Sequence, residues 1–261
     1  MTLIEQRRIA DILTTERTAG QSGATPVVAL HGWGVSSELM QPVLERLSPL
    51  GYRLYAPDLP GFGGTAAPPA AWSVHDYANW VVDYLDAHRL ETVHLVSHSF
   101  GGRISLVLGA RHPHRIDKIT LSNSAGVLSK QPPHRILRQR AYKLIRRGLE
   151  AIGAHATAHQ LREWYAARYG SSDYRSAQGI MRETFVRVVA QDLLPVAAQV
   201  AKPTLLFWGD KDADTPLWQA HVLEKTLPDA GLIVFPGAGH YAYLEHLDEF
   251  IRIVDHFFKQ P

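Results

Sequence analysis

Between residues 26 and 125 the chain alternates short apolar runs with amphipathic stretches, and this alternation restricts the possible folds more than any other feature. The stretches 27–30, 52–56, 93–96 and 116–121 read as strands, with helices expected over 37–47, 73–89 and 100–111. Ser73 is a plausible N-cap for the second of these helices. Strands that are apolar almost throughout need cover on both faces, and a parallel sheet obtains it from its crossover helices. The pattern returns near the C-terminus, with strands over 204–208 and 232–235 and helices over 217–227 and 247–258. Residues 2–18 read as one or two antiparallel edge strands. The expected fold class is α/β: a mostly parallel central sheet with helices on both faces.

The stretch 127–198 carries no strand signal. Leu137, Ala141, Leu144, Ile145, Leu149 and Ile152 share one helical face there, with Arg and Lys opposite. Residues 157–169 and 177–190 also read as helices. The expected organisation is a core of residues 1–126 and 199–261, interrupted by a helical cap of residues 127–198 whose apolar face packs on the body. Charge divides along the same boundary. The chain has 27 Lys and Arg against 25 Asp and Glu. Twelve of those bases, Lys130 and Arg135 among them, and only five of the acids fall within 127–198, a net of +7. Fifteen bases and twenty acids remain elsewhere, a net of −5. A basic face over 135–147 raises nucleic acid and membrane surfaces as partners. The acidic body offers that face a partner inside the molecule, so neither is expected. Cap arginines turned inward would favour acidic or phosphate-bearing substrates; a solvated basic face is the simpler reading.

Cysteine is absent, which excludes disulfides, thiolate metal sites and thiol nucleophiles. The N-terminus lacks the apolar core of a signal peptide. Uncharged apolar stretches such as 104–110 fall far short of the roughly 20 residues that span a bilayer. A cytoplasmic protein, monomeric or homodimeric, is the expectation. His112-Pro113-His114 has no acidic companions and reads as a surface loop. Gly61-Phe62-Gly63-Gly64 opens no helix and reads as a turn rather than a phosphate loop. No metal or cofactor is expected.

Ser97-His98-Ser99-Phe100-Gly101-Gly102, between an expected strand and an expected helix, nearly matches G-x-S-x-G. Such a turn strains its central serine, requires small residues two positions away, and lifts the hydroxyl above the sheet at a helix N-terminus that favours an oxyanion. A serine hydroxyl needs a base. Of fourteen histidines, His240 follows the last expected strand in a Gly-rich loop, from which an imidazole can reach the turn. His246 is expected to pack or cap at the closing helix, His31 to be structural, and His98 to point elsewhere in the turn. A carboxylate must orient the imidazole. Asp210, Asp212 and Asp214 crowd the loop after Trp208. Asp212 is preferred and Asp210 is second; one of them can instead cap the helix that starts near Pro216. The order Ser99, Asp212, His240 is that of α/β hydrolases.

With these residues and His31-Gly32-Trp33-Gly34, Asp58-Leu59-Pro60-Gly61-Phe62-Gly63 and Trp208-Gly209-Asp210-Lys211-Asp212, the chain resembles the α/β-hydrolase fold superfamily over nearly its whole length. The resemblance implies oxyanion-hole N–H groups on Trp33 and Phe100 and a helical cap after the sixth strand. Ser97 in place of the usual first glycine is the one departure. Serine at 99 argues against dehalogenases and epoxide hydrolases of this architecture, which use aspartate. What is implied is a serine hydrolase of small-molecule carboxylic esters. Hydrolysis of a C–C bond beside a carbonyl, as in meta-cleavage-product hydrolases, is the alternative, and a non-catalytic receptor on the same fold is a more distant one.

Overall fold

In the computed structural model, residues 2–128, 133–169 and 171–260 are described. Residues 129–132 and 170 of the expected cap, and with them Lys130, lie outside that set. Eight strands form one sheet: β1 (Leu3–Ile9), β2 (Ile12–Ala19), β3 (Thr25–Leu30), β4 (Tyr52–Pro57), β5 (Val93–His98), β6 (Ile116–Ser122), β7 (Thr204–Gly209) and β8 (Ala230–Phe235). Their order is β1-β2-β4-β3-β5-β6-β7-β8. The β1–β2 hairpin is antiparallel and runs antiparallel to β4; every other pairing is parallel. Residues 2–18 are therefore the antiparallel edge that the sequence suggested.

Alternate residues of a strand face opposite sides of a sheet, and here each side has its own core. Val28, Leu30, Leu95 and Leu121 pack under α2 (Val74–Ala87) and α3 (Phe100–Arg111), against Trp80, Tyr84 and Ile104. Val27, Ala29, Leu54 and Val96 face α1 (Gln41–Leu47) and, late in the chain, the closing helix Leu247–Lys259. Ser73 caps α2 in a reciprocal box with Asp76. The helix expected over 37–47 opens as a 3₁₀ turn, Ser37–Met40, before α1.

Among the described residues, five helices lie between β6 and β7: α4 (Pro133–Ala151), α5 (His155–Tyr169), α6 (Ser172–Ser176), α7 (Gly179–Val189) and α8 (Leu194–Ala197). Beyond β7 come α9 (Trp218–Thr226), the short α10 (Ala242–Glu245) and α11 (Leu247–Lys259). The excursion is tied down through α7. Thr184 accepts the Trp72 N–H at 3.1 Å, Gln191 accepts the Val74 N–H at 2.8 Å, and Arg187 donates to the Ala71 carbonyl at 2.7 Å. At its neck the Leu193 N–H donates to the Gly126 carbonyl at 3.0 Å.

α4 departs from expectation. Its apolar stripe faces outward: Leu137, Leu144 and Ile145 are 70, 74 and 55% exposed. The side turned to α5 instead uses rings and a cation, with Tyr142 stacked on Tyr165 at 4.0 Å and Arg138 over Tyr169 at 3.8 Å. Flat rings and a guanidinium satisfy one another's polarity at that contact, which removes the need for aliphatic packing. Two arginines of the excursion find acids inside it: Arg146 pairs with Glu150 and Arg182 with Glu163.

Candidate active site

Ser99 occupies the turn between β5 and α3 with φ +49° and ψ −106°. Its N–H donates to the Ser122 carbonyl at 3.1 Å, and its carbonyl accepts from Gly102 and Ala125 at 3.0 and 3.1 Å. These bonds from three sides hold a backbone conformation that a non-glycine residue otherwise avoids. A Cβ at Gly101 would stand 2.3 Å from the Leu30 carbonyl oxygen, so only glycine fits there. Two positions before Ser99 the turn is less strict: the Ser97 hydroxyl is buried and shares a 2.7 Å hydrogen bond with that of Ser105.

His240, in the loop after β8, places Nε2 3.1 Å from Ser99 Oγ and Nδ1 2.9 Å from Asp212 Oδ2. A carboxylate only accepts, so Nδ1 carries the proton and Nε2 is free to take one from the serine. The Asp212 side chain is fully buried. Oδ1 accepts the N–H groups of Asp214 and Thr215 at 2.8 and 2.9 Å; Oδ2 accepts the Thr215 hydroxyl at 2.6 Å and Asn123 Nδ2 at 2.7 Å. Burial disfavours its charge, but the hydrogen bonds from His240 and Thr215 together outweigh burial and hold the carboxyl well below the usual range. Asp210 is employed elsewhere, accepting the Gly237 N–H at 2.7 Å. Neither acid caps α9, whose N-cap position is Leu217 with no side-chain cap bond.

The structure thus brings Ser99, His240 and Asp212 into one hydrogen-bonded line and leaves Asp210 out. Phe100 opens α3, so its N–H is among the first four without an intrahelical acceptor. Trp33 follows Gly32 beyond β3, and a Cβ on Gly32 would be 3.5 Å from Ser99 Cβ. That loop is fixed by His31, which donates Nδ1–H to the Gly32 carbonyl at 2.7 Å and accepts the Leu59 N–H on Nε2 at 2.9 Å. Burial lowers His31 to about 4 and keeps it neutral. Asp58 ties the next loop by accepting the Ser37 and Gly64 N–H groups at 2.7 and 2.8 Å.

His98 does more than the sequence suggested. It donates Nε2–H to the His240 carbonyl at 2.9 Å, and its ring lies 4.8 Å from that of His240. Burial, aided by His240, lowers it to about 3, so it is a neutral strut beneath the loop. His246 stacks on Phe235 at 4.7 Å, a packing role. Two supports of Asp212, Asn123 and Thr215, were missed. Their traces in the sequence are a Thr three residues after Asp212, the spacing of a side-chain-capped turn, and an Asn directly after a strand, where it adopts φ +48°.

Ser99, His240, Trp33 and Phe100 line a single cavity of about 320 Å³. Phe185, Val188 and Val189 bring an apolar wall, while Asp173, Asp214 and Tyr241 make a polar one. No arginine from residues 127–198 is among the described residues lining it. Asp212, Asp214 and His240 offer donor atoms within 4.8 Å of one another, a spacing a cation could use. The bonds already made by both Asp212 oxygens and by His240 Nδ1 leave that set little to offer one.

A family model for the alpha/beta hydrolase fold matches residues 25–247. The chain is 30% identical over 245 residues to the pimeloyl-[acyl-carrier protein] methyl ester esterase of Chromobacterium violaceum, covering 87% of this chain and 91% of that protein. It is 26% identical over 271 residues to the 2-hydroxy-6-oxo-6-phenylhexa-2,4-dienoate hydrolase of Burkholderia cepacia, covering 96% and 92%. The solved enol-lactonase from Burkholderia xenovorans superposes with a TM-score of 0.76 at 20% identity, over 98% of this chain and 100% of that one. The chain belongs to the α/β-hydrolase fold family. Among the described residues no helix is long and apolar enough to cross a membrane.

Proposed function

We propose that this protein is a serine hydrolase of carboxylic esters with small or medium acyl groups. The observation that carries the reading is the line from Ser99 Oγ through the His240 imidazole to Asp212, at 3.1 and 2.9 Å. Ser99 Oγ attacks the ester carbonyl while His240 Nε2 takes its proton. The N–H groups of Trp33 and Phe100 hold the oxyanion, and Asp212 stabilises the imidazolium. His240 returns the proton to the departing alcohol, leaving an acyl-enzyme. Water then attacks that ester, gives its proton to His240, and releases the acid as Ser99 recovers its hydrogen. Residues 127–198 act as a helical cap over this cavity, a role supported by the α7 side chains in its wall.

The esterase relative from Chromobacterium violaceum supports the ester reading. The dienoate hydrolase relative keeps a second reading in view, hydrolysis of a C–C bond beside a carbonyl by the same three residues. Purified protein offered p-nitrophenyl esters of increasing chain length and, separately, a ring-fission dienone separates the two. Ser99→Ala is expected to lower ester turnover by roughly 10⁴-fold or more and to abolish labelling by a fluorophosphonate. Wild-type turnover in Ser99→Ala would overturn the mechanism.

A further inference from the structure

Arg103 lies on α3 one turn beyond Ser99 and forms part of the wall of the same cavity. Its side chain is almost wholly buried. Nη1 donates to the Val188 and Gln191 carbonyls, each at 3.0 Å, at the C-terminal end of α7. Those two bonds use the hydrogens of one nitrogen. Nε–H and both Nη2 hydrogens have no acceptor among the described residues, and none of those residues makes an ion pair with the guanidinium. Burial is the main influence on it and lowers it to about 10, with the field of Asp192 opposing. It remains a cation at neutral pH.

A buried cation without an ion-pair partner is costly unless something compensates it. The two carbonyls and the negative end of α7 offset part of that cost. They leave a planar fork of donors on a residue that lines the cavity holding Ser99, the geometry that suits a carboxylate. Helical side chains lean toward the N-terminus, which for Arg103 is the direction of Ser99. Arg103 is also the only Lys or Arg among the described lining residues.

The opposite charge sits elsewhere in the cavity. Asp173 and Asp214 act on each other and Asp173 feels His240, whereas the carboxylate that acts on Arg103 is Asp192. A leaving group must lie against His240 Nε2 to be protonated, on the side of these acids. An anion there would be repelled. We propose that Arg103 is an anion subsite for the acyl half of the substrate: the preferred esters carry a free carboxylate a few atoms from the scissile carbonyl, on the acid side of the bond. The proposal rests on the serine-hydrolase reading and adds a substrate class to it.

The test compares mono-p-nitrophenyl glutarate with p-nitrophenyl butyrate in wild type, Arg103→Met and Arg103→Lys. Wild type is expected to favour the glutarate. Arg103→Met is expected to reduce the glutarate-to-butyrate ratio of kcat/KM by roughly ten- to hundredfold, the range of a charge-assisted hydrogen bond, mainly through KM. Arg103→Lys should reduce it less. Calorimetric binding of monomethyl glutarate to Ser99→Ala provides a measurement independent of turnover, and adding Arg103→Met to that protein should abolish it. If Arg103→Met depresses both esters in proportion, Arg103 merely fastens α7 and the subsite is overturned. No binding to Ser99→Ala, or an unchanged ratio in folded Arg103→Met, overturns it too. Failure of the underlying mechanism shows separately, as turnover that survives Ser99→Ala.

Discussion

Asp212 keeps its charge inside the protein because five hydrogen bonds converge on two oxygens. Asp212→Asn keeps the shape but turns an acceptor into a donor facing His240 Nδ1, so the imidazole is held in the wrong tautomer. A loss of roughly 10⁴-fold in kcat is expected. Asp210→Asn, two residues away, should stay within about threefold, since its carboxylate accepts the Gly237 N–H and pairs with Lys211 at the surface, away from His240. Equal losses in an ester assay would contradict this division of labour. Ser99 and His240 were legible in the sequence because a strained turn and a Gly-rich loop leave local marks. Asp210 and Asp212 stood so close together that spacing could only rank them. What separates them is contact with Asn123, 89 positions earlier in the chain, and such long-range contacts leave no local pattern.

At the scale of elements, the β1–β2 hairpin turns on Ala10 and Asp11, with φ of +43° and +66°. A two-residue turn with both centres at positive φ matches the twist of the strands it joins and favours Asn or Gly. Alanine has no side chain able to ease that conformation. Ala10→Asn should therefore raise stability by about 0.5–1 kcal/mol, read as a higher urea midpoint, with ester turnover unchanged. A lower midpoint would mean that the turn is not what limits the hairpin. The elements of the sheet were readable because their apolar runs report burial directly. α4 was not. Its sequence shows an amphipathic helix but not which face meets the protein, and here the contact made by Tyr142 and Arg138 leaves Leu137 and Leu144 outside.

Across the whole molecule, three imidazoles are buried neutral: His31 and His94 lowered to about 4 and His98 to about 3, burial being the largest cause in each. Unfolded, each binds a proton near pH 6.5. Between those values the unfolded chain binds more protons than the folded one, so stability falls as pH drops from about 6.5 toward about 4. The loss is on the order of 1–2 kcal/mol per histidine at pH 5. The Asp212 carboxyl, held low when folded, adds to it only below about pH 4. Urea midpoints at pH 7 and pH 5 check this. His94→Phe, whose ring can keep the stacking on Phe258, should flatten the slope, and an unchanged midpoint between the two pH values would refute the account. The hydrogen bond from Leu193 to Gly126 closes the chain around α4–α7 at a neck outside the ladder of the sheet. Closing a longer or shorter loop there costs entropy that grows only as the logarithm of its length. Changes of length between Gly126 and Leu193 are therefore expected to leave the pairing of the eight strands intact, so that the sheet tolerates an insert of varying size at that point.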